Sequence, residues 1–271
     1  MSRAFATPAR RAGAWSRRAS ATTLAVVLLP GHAAAQSAMP AGFVYLRHID
    51  PTIAQDIRYA GSDNFVGRPL AGYDAAECIL RRDVATALKQ VQADLAGHGL
   101  ALKVYDCYRP ERAVRTMARW ANDGRRGEAT KRFFPRLDKG NLFNGYIAAR
   151  TRHSIGTAVD LTLVEAPGAP TASFDPAAAY GPCNGPAAQR APDDSVDMGT
   201  GYDCLDTNSH TSSTAVGAEQ RRWRNRLVAA MAKHGFRNYF REWWHFEYAG
   251  SAPGESHDFP IRRPAGKASP D

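Results

Sequence analysis

Cysteine is scarce in this chain, four among 271 residues. Cys78, Cys107, Cys183 and Cys204 form no CxxC or CxH pair, which excludes a thiolate zinc site of the finger kind. Long apolar runs are also missing. The best of them, Ala21–Leu29, falls well short of the ~20 residues that cross a bilayer, so no retained membrane anchor is expected. No segment repeats and no linker divides the chain, so neither a solenoid nor a pair of tethered domains is expected. Acids are absent from residues 1–35, which still hold Arg3, Arg10, Arg11, Arg17 and Arg18. The whole chain carries 35 Lys+Arg against 26 Asp+Glu, a formal charge of +9; without that segment the balance is 30 to 26, or +4. The basic excess is therefore mostly N-terminal, and a nucleic-acid partner loses its main support.

What is present in that first stretch reads as an export signal. Arginines lead into the apolar run, then Pro30-Gly31, then the small-residue site Ala33-Ala34-Ala35. Residues 1–35 are expected to be cleaved, leaving 36–271 as one domain in an oxidising compartment, the periplasm. There an even number of cysteines points to disulfides. Four cysteines allow three complete pairings; Cys183 and Cys204 flank a loop-rich stretch that gains from a staple, and are the pair expected first.

The remaining composition is that of an ordinary globular protein. Phe43–Ile49 reads as an early strand. Arg81–His98 has a helical stripe of Val84, Leu88, Val91 and Leu95, with Gly97 and Gly99 at its end. Leu100–Tyr108 is β-rich, and Pro110 opens a second helix reaching about Asp123. Ala158–Val164 alternates as a strand, with Ala158, Asp160 and Thr162 on one face. Residues 165–217 read as long loops. Ala218–His234 is a third helix, with Trp223, Leu227 and Met231 along one side, and Tyr239–Tyr248 is an aromatic strand. Strands and helices mix without a βαβ repeat. The expectation is a single α+β domain, a central antiparallel sheet with flanking helices and long loops.

Two short stretches carry the chemistry. Arg152–Asp160 (RHSIGTAVD) holds a His and an Asp seven residues apart, and Glu242–Tyr248 (EWWHFEY) holds Glu, His and a second Glu. Two imidazoles and one carboxylate form a catalytic zinc set that leaves a position for water. A further carboxylate beside them can take the proton of that water. On a regular strand, residues three apart face opposite sides, so Glu242 and His245 share a site only if Glu242 lies in a preceding turn or a bulge intervenes. Glu247, on the same strand face as His245, competes for the role of base. Spacing alone leaves both open.

These segments resemble the D-alanyl-D-alanine dipeptidases of the vancomycin-resistance type, zinc peptidases related to D,D-carboxypeptidases and to the hedgehog signalling domain. The likeness extends to Tyr59-Ala60, Asp63-Asn64-Phe65, Gly67-Arg68-Pro69 and Gly72-Tyr73, to Asp106–Val114 (DCYRPERAV), and to Met198–Asp203 (MGTGYD). The motifs run in family order from about Phe43 to Phe259. The resemblance implies one zinc ion per chain on His153, Asp160 and His245, with Glu242 as general base in preference to Glu247. It implies Arg109 as the partner of the oxyanion, and Asp203 and Tyr59 at the substrate ammonium. Thr151 stands where the family often has Ser and is a further candidate for substrate contact. Cys107 replaces the Gly of the arginine motif and reads as half of a disulfide. The implied reaction is hydrolysis of a small dipeptide, D-Ala-D-Ala, by a hedgehog/D,D-peptidase-like domain with neither nucleic-acid partner nor membrane insertion. A peptidoglycan D,D- or L,D-carboxypeptidase with the same zinc site is the nearest alternative. A non-catalytic zinc module that binds cell wall is the more distant one.

Overall fold

The computed structural model describes Met1 and residues 38–126, 128–143, 145–166 and 172–264. Apart from Met1, the expected export segment lies outside the described residues. No described helix is long and apolar enough to cross a membrane.

Two sheets organise the domain. The smaller pairs β1 (Phe43–Tyr45) with β3 (Ile79–Arg81) antiparallel. The larger runs in the order β2 (Ala54–Gln55), β4 (Leu100–Asp106), β5 (Ala158–Glu165), β7 (His245–Tyr248), β6 (Phe236–Asn238). Every pairing in it is antiparallel except that of the short edge strand β2 on β4. The expected α+β architecture is thus the one found.

The helical stripes explain where the core sits. Helix α2 (Arg82–Ala96) buries Val84, Leu88, Val91 and Leu95, and it packs against β4 and against α4 (Ala218–Lys233). Burying such side chains contributes roughly 1.5–3 kcal/mol each. Helix α3 (Glu111–Ala121) starts directly after Pro110, whose φ of −56° suits a helix entrance. Along β5, Val159, Leu161 and Leu163 are fully buried, and period-2 alternation turns Asp160 to the opposite face.

Three local expectations are corrected. Phe43–Ile49 is not one strand: β1 ends at Tyr45 and the chain turns into α1 (Leu46–Ile49), where Leu46 N–H bonds the Cys78 carbonyl at 2.9 Å. Tyr239–Tyr248 is not one strand either, because residues 239–244 form the turn between β6 and β7. On α4, Trp223 is only half-buried while Arg224 is fully buried. The Arg224 guanidinium donates to the carbonyls of Met198, Asn208 and His210 at 2.7–2.9 Å, clamping the long loop to the helix. That loop is also held by Asp193, which accepts from Arg58, Lys103 and Tyr105, and by the expected Cys183–Cys204 disulfide. A second bridge joins Cys78 to Cys107.

One glycine is indispensable to the turn that leads into β5. Gly156 has φ +77°, and a Cβ there would stand 2.4 Å from the Phe43 ring. Gly156→Ala is expected to cost about 1–3 kcal/mol from backbone strain alone. A urea midpoint equal to the parent's would show that the turn relaxes freely.

Candidate active site

The register of the large sheet lines up three of the polar residues. Asp106 on β4 pairs with Asp160 on β5, and Asp160 pairs with His245 on β7. A bulge between Val104 and Asp106 sets that alignment at the end of β4. His153 arrives from the 3-10 turn Arg152–Ile155, which the Thr151 hydroxyl caps by accepting from His153 N–H at 3.2 Å. Glu242 lies in the β6–β7 turn, where its carbonyl accepts from the His245 N–H at 3.2 Å and from the Asn238 amide at 3.0 Å. The pleat therefore does not separate Glu242 from His245, because only His245 is on the strand.

His153, Asp160 and His245 form a group that could hold a metal ion. His153 Nε2 and His245 Nδ1 are 3.1 Å apart, His245 Nδ1 and Asp160 Oδ1 2.9 Å, and His153 Nε2 and Asp160 Oδ1 3.3 Å. Donors at ~2.0 Å from one ion in tetrahedral geometry are separated by about 3.3 Å, so the triangle fits. The other ring nitrogens are occupied in a way that leaves these three donors bare. His153 Nδ1–H donates to the Cys107 carbonyl at 2.7 Å, and His245 Nε2 faces Glu247 Oε1 at 3.7 Å. Burial pushes the Asp160 carboxyl upward, yet the two imidazoles hold it well below the ordinary carboxylate range. An ionised Asp160 is what a cation requires.

Around this group lies a cavity of about 480 Å³ lined by Tyr59, Arg109, Thr151, Asp203, Glu242 and Glu247 among others. Glu242 Oε2 stands 3.9 Å from His245 Nδ1, and burial pushes its carboxyl up to about 7 against the pull of His245. Arg109 Nε donates to Asp106 Oδ2 at 2.9 Å, and its guanidinium lies 5.0 Å from the Tyr59 ring centroid. Asp203 is buried, takes a hydrogen bond from Tyr59 Oη at 2.7 Å, and adopts φ +55°. Burial, reinforced by the charge of Asp160, holds its carboxyl well above the ordinary range. An ammonium brought beside it would favour the ionised form and draw the proton off.

A family model described as D-ala-D-ala dipeptidase matches residues 39–172 and 189–261. The chain belongs to this family. It is 32% identical over 225 residues to the D-alanyl-D-alanine dipeptidase of Streptomyces coelicolor, covering 82% of this chain and all of that one. The Enterococcus faecium enzyme of the same name is 29% identical over 226 residues, covering 83% of this chain and all of the relative. That of Enterococcus faecalis is 30% identical over 210 residues, with 77% and 92% covered.

All eight site residues anticipated for this dipeptidase-family chain line the one cavity, with Thr151 also serving as the cap of the His153 turn. Three further side chains escaped the sequence. Asp106 accepts from Arg109 and, at 2.6 Å, from the Tyr73 hydroxyl, and its Oδ2 lies 3.4 Å from His153 Nδ1. Tyr202 donates to Asp160 Oδ2 at 3.0 Å, which turns Oδ1 toward the imidazoles. The only trace of these roles in sequence is that Asp106 and Tyr202 fall inside quoted motifs and Tyr73 closes another.

Proposed function

We propose that this dipeptidase-family protein is an exported, periplasmic zinc enzyme that hydrolyses D-Ala-D-Ala to two D-alanines. The observation that carries this most directly is the convergence of His153 Nε2, His245 Nδ1 and Asp160 Oδ1, with Glu242 and Arg109 facing the same cavity. His153, Asp160 and His245 would hold one zinc ion. When bound, zinc supplies Lewis acidity to the scissile carbonyl and lowers the pKa of water toward ~7.

The remaining work falls to the chain. Glu242, with a pKa near 7, takes the proton of the attacking water and delivers it to the leaving amine. Arg109, fixed by Asp106, directs its positive charge to the carbonyl oxygen as that oxygen gains negative charge. Asp203 receives the free ammonium of the dipeptide, and Tyr59 orients the Asp203 carboxylate through its hydroxyl. A buried ion pair at that end rewards a free amino terminus and penalises a blocked one. The D configuration rests on the substrates named for the relatives. Export is supported by the signal-like start and by two disulfides.

The test is metal content together with D-alanine release by the purified chain. Zinc near one per chain and cleavage of D-Ala-D-Ala, but not of a blocked tripeptide or a muropeptide, are expected. Cleavage of the muropeptide instead would make the protein a carboxypeptidase, and zinc without hydrolysis would make it a binding module. Asp203→Asn keeps a side chain that tolerates positive φ while removing the charge. It should raise KM about 10–100-fold with zinc retained, the worth of a hydrogen bond to a charged group. An unchanged KM would move the ammonium site elsewhere.

A further inference from the structure

The Cys78–Cys107 bridge lies in a place that its contribution to chain entropy does not explain. Pairing of β4 with β5 ends at Asp106 and Asp160, so Cys107 is one residue beyond the last paired position. Yet its carbonyl accepts the His153 Nδ1–H at 2.7 Å. A carbonyl only accepts, so this bond fixes the imidazole with its proton on Nδ1 and its lone pair on Nε2, the atom that faces Asp160 and His245. The neighbours of Cys107 address the same histidine: Asp106 Oδ2 is 3.4 Å from Nδ1, and Arg109 N–H bonds the His153 carbonyl at 3.2 Å. Asp106, Cys107 and Arg109 thus hold one candidate ligand, and Asp106 holds the guanidinium of Arg109 as well, at the end of the sheet.

The small sheet supplies the anchorage. Cys78 directly precedes β3; its N–H bonds the Gln55 side chain at 2.8 Å and its carbonyl takes the Leu46 N–H. The next residue pair is tied as well, Tyr108 N–H to the Ile79 carbonyl at 2.9 Å. Both cysteines are buried.

We infer that the Cys78–Cys107 disulfide is a positioning element of the metal centre, holding the Cys107 carbonyl against His153 by tying it to β3. This rests on the zinc site proposed above. Cys107 touches neither substrate nor reacting atoms, and it acts through His153.

The experiment compares zinc affinity, by chelator competition at 25 °C, with kcat and KM for D-Ala-D-Ala in the parent, in C78A/C107A and in C183A/C204A. Losing the support of a ligand costs about 10–100-fold in metal affinity, and that loss is expected for C78A/C107A with KM held within about twofold. C183A/C204A, whose bridge lies beside Asp203, should keep the parent's zinc affinity. If C78A/C107A lowers only the melting temperature and leaves zinc affinity and kcat at parental values, the bridge is a staple and the inference is wrong. Should the double variant not fold, Cys78→Ala alone, and C183A/C204A reduced to two thiols counted by mass spectrometry, give the same comparison against oxidised C183A/C204A. A parent that binds no zinc defeats the zinc site itself, and the inference with it; a parent that binds zinc as tightly as the unbridged chain defeats the inference alone.

Discussion

Glu242→Ala is expected to leave zinc bound and to lower hydrolysis of D-Ala-D-Ala by about 10²–10⁴-fold, the usual contribution of a positioned base. The metal should survive because three donors remain on His153, Asp160 and His245. The rate should fall because, among the described residues, the other buried carboxylates of the cavity each have a partner that claims them. Asp160 is held ionised by two imidazoles, and Asp203 is engaged by Tyr59. Glu247 is the decisive control. It is half-exposed, faces the far nitrogen of His245 at 3.7 Å, and is 3.4 Å from Arg152 Nε. His245 draws its carboxyl downward, which makes it a poorer base and a better orienter. Glu247→Ala should cost no more than the 10–100-fold typical of a group supporting a ligand. If Glu247→Ala abolishes turnover with zinc intact while Glu242→Ala stays active, the base has been assigned to the wrong carboxylate.

The contest between these two carboxylates also marks how far the sequence could be read. His245 and Glu247 are two apart, so the pleat puts them on one face, and that much holds. What a pattern of aromatics conceals is where the strand begins. Tyr239, Phe240, Trp243 and Trp244 all favour strands, yet the chain turns there, because Asn238 spends its side chain on the carbonyls of Glu242 and His245 and Trp243 N–H pairs with Ser209. Those bonds come from residues far along the chain or from local turn chemistry that propensity cannot rank. Helices were more legible. The stripe of α2 matches its buried residues, since a period of 3.6 is local information. On α4 the stripe misleads at Trp223 and Arg224, because the buried arginine meets three carbonyls of a distant loop.

Among the site residues, legibility follows the same division. His153, Asp160 and His245 stand in compact motifs, and the structure draws their donors together. Asp106 and Tyr202 act only once β4, β5 and the long loop are in register, and the bulge that aligns Asp106 with Asp160 leaves no sequence mark. The disulfides divide likewise. Cys183–Cys204 closes a loop visible in the composition, whereas Cys78–Cys107 joins two strand ends whose proximity depends on the packing of both sheets.

His245→Ala and Arg109→Ala should fail in opposite ways, and the contrast tests the division of labour across the site. Removing His245 deletes one of three donors, the one nearest Asp160 at 2.9 Å, so zinc affinity should fall by well over the ~100-fold ceiling for loss of a supporting group. Activity should vanish with the metal and return in part at high zinc. Arg109 makes no contact within the donor triangle apart from its approach to Asp160 Oδ2 at 3.5 Å, an oxygen that Tyr202 also holds. Arg109→Ala should therefore keep zinc while kcat falls about 10²–10³-fold, the cost of losing one partner of the developing oxyanion. Arg109→Lys should recover little of it, because an ammonium cannot both grip Asp106 through Nε and present a second face to the substrate. Dialysis against a chelator followed by metal analysis separates the two variants before any rate is measured. If Arg109→Ala loses zinc as readily as His245→Ala, then the guanidinium chiefly keeps Asp106 and Asp160 apart, and the oxyanion must find its partner elsewhere in the cavity.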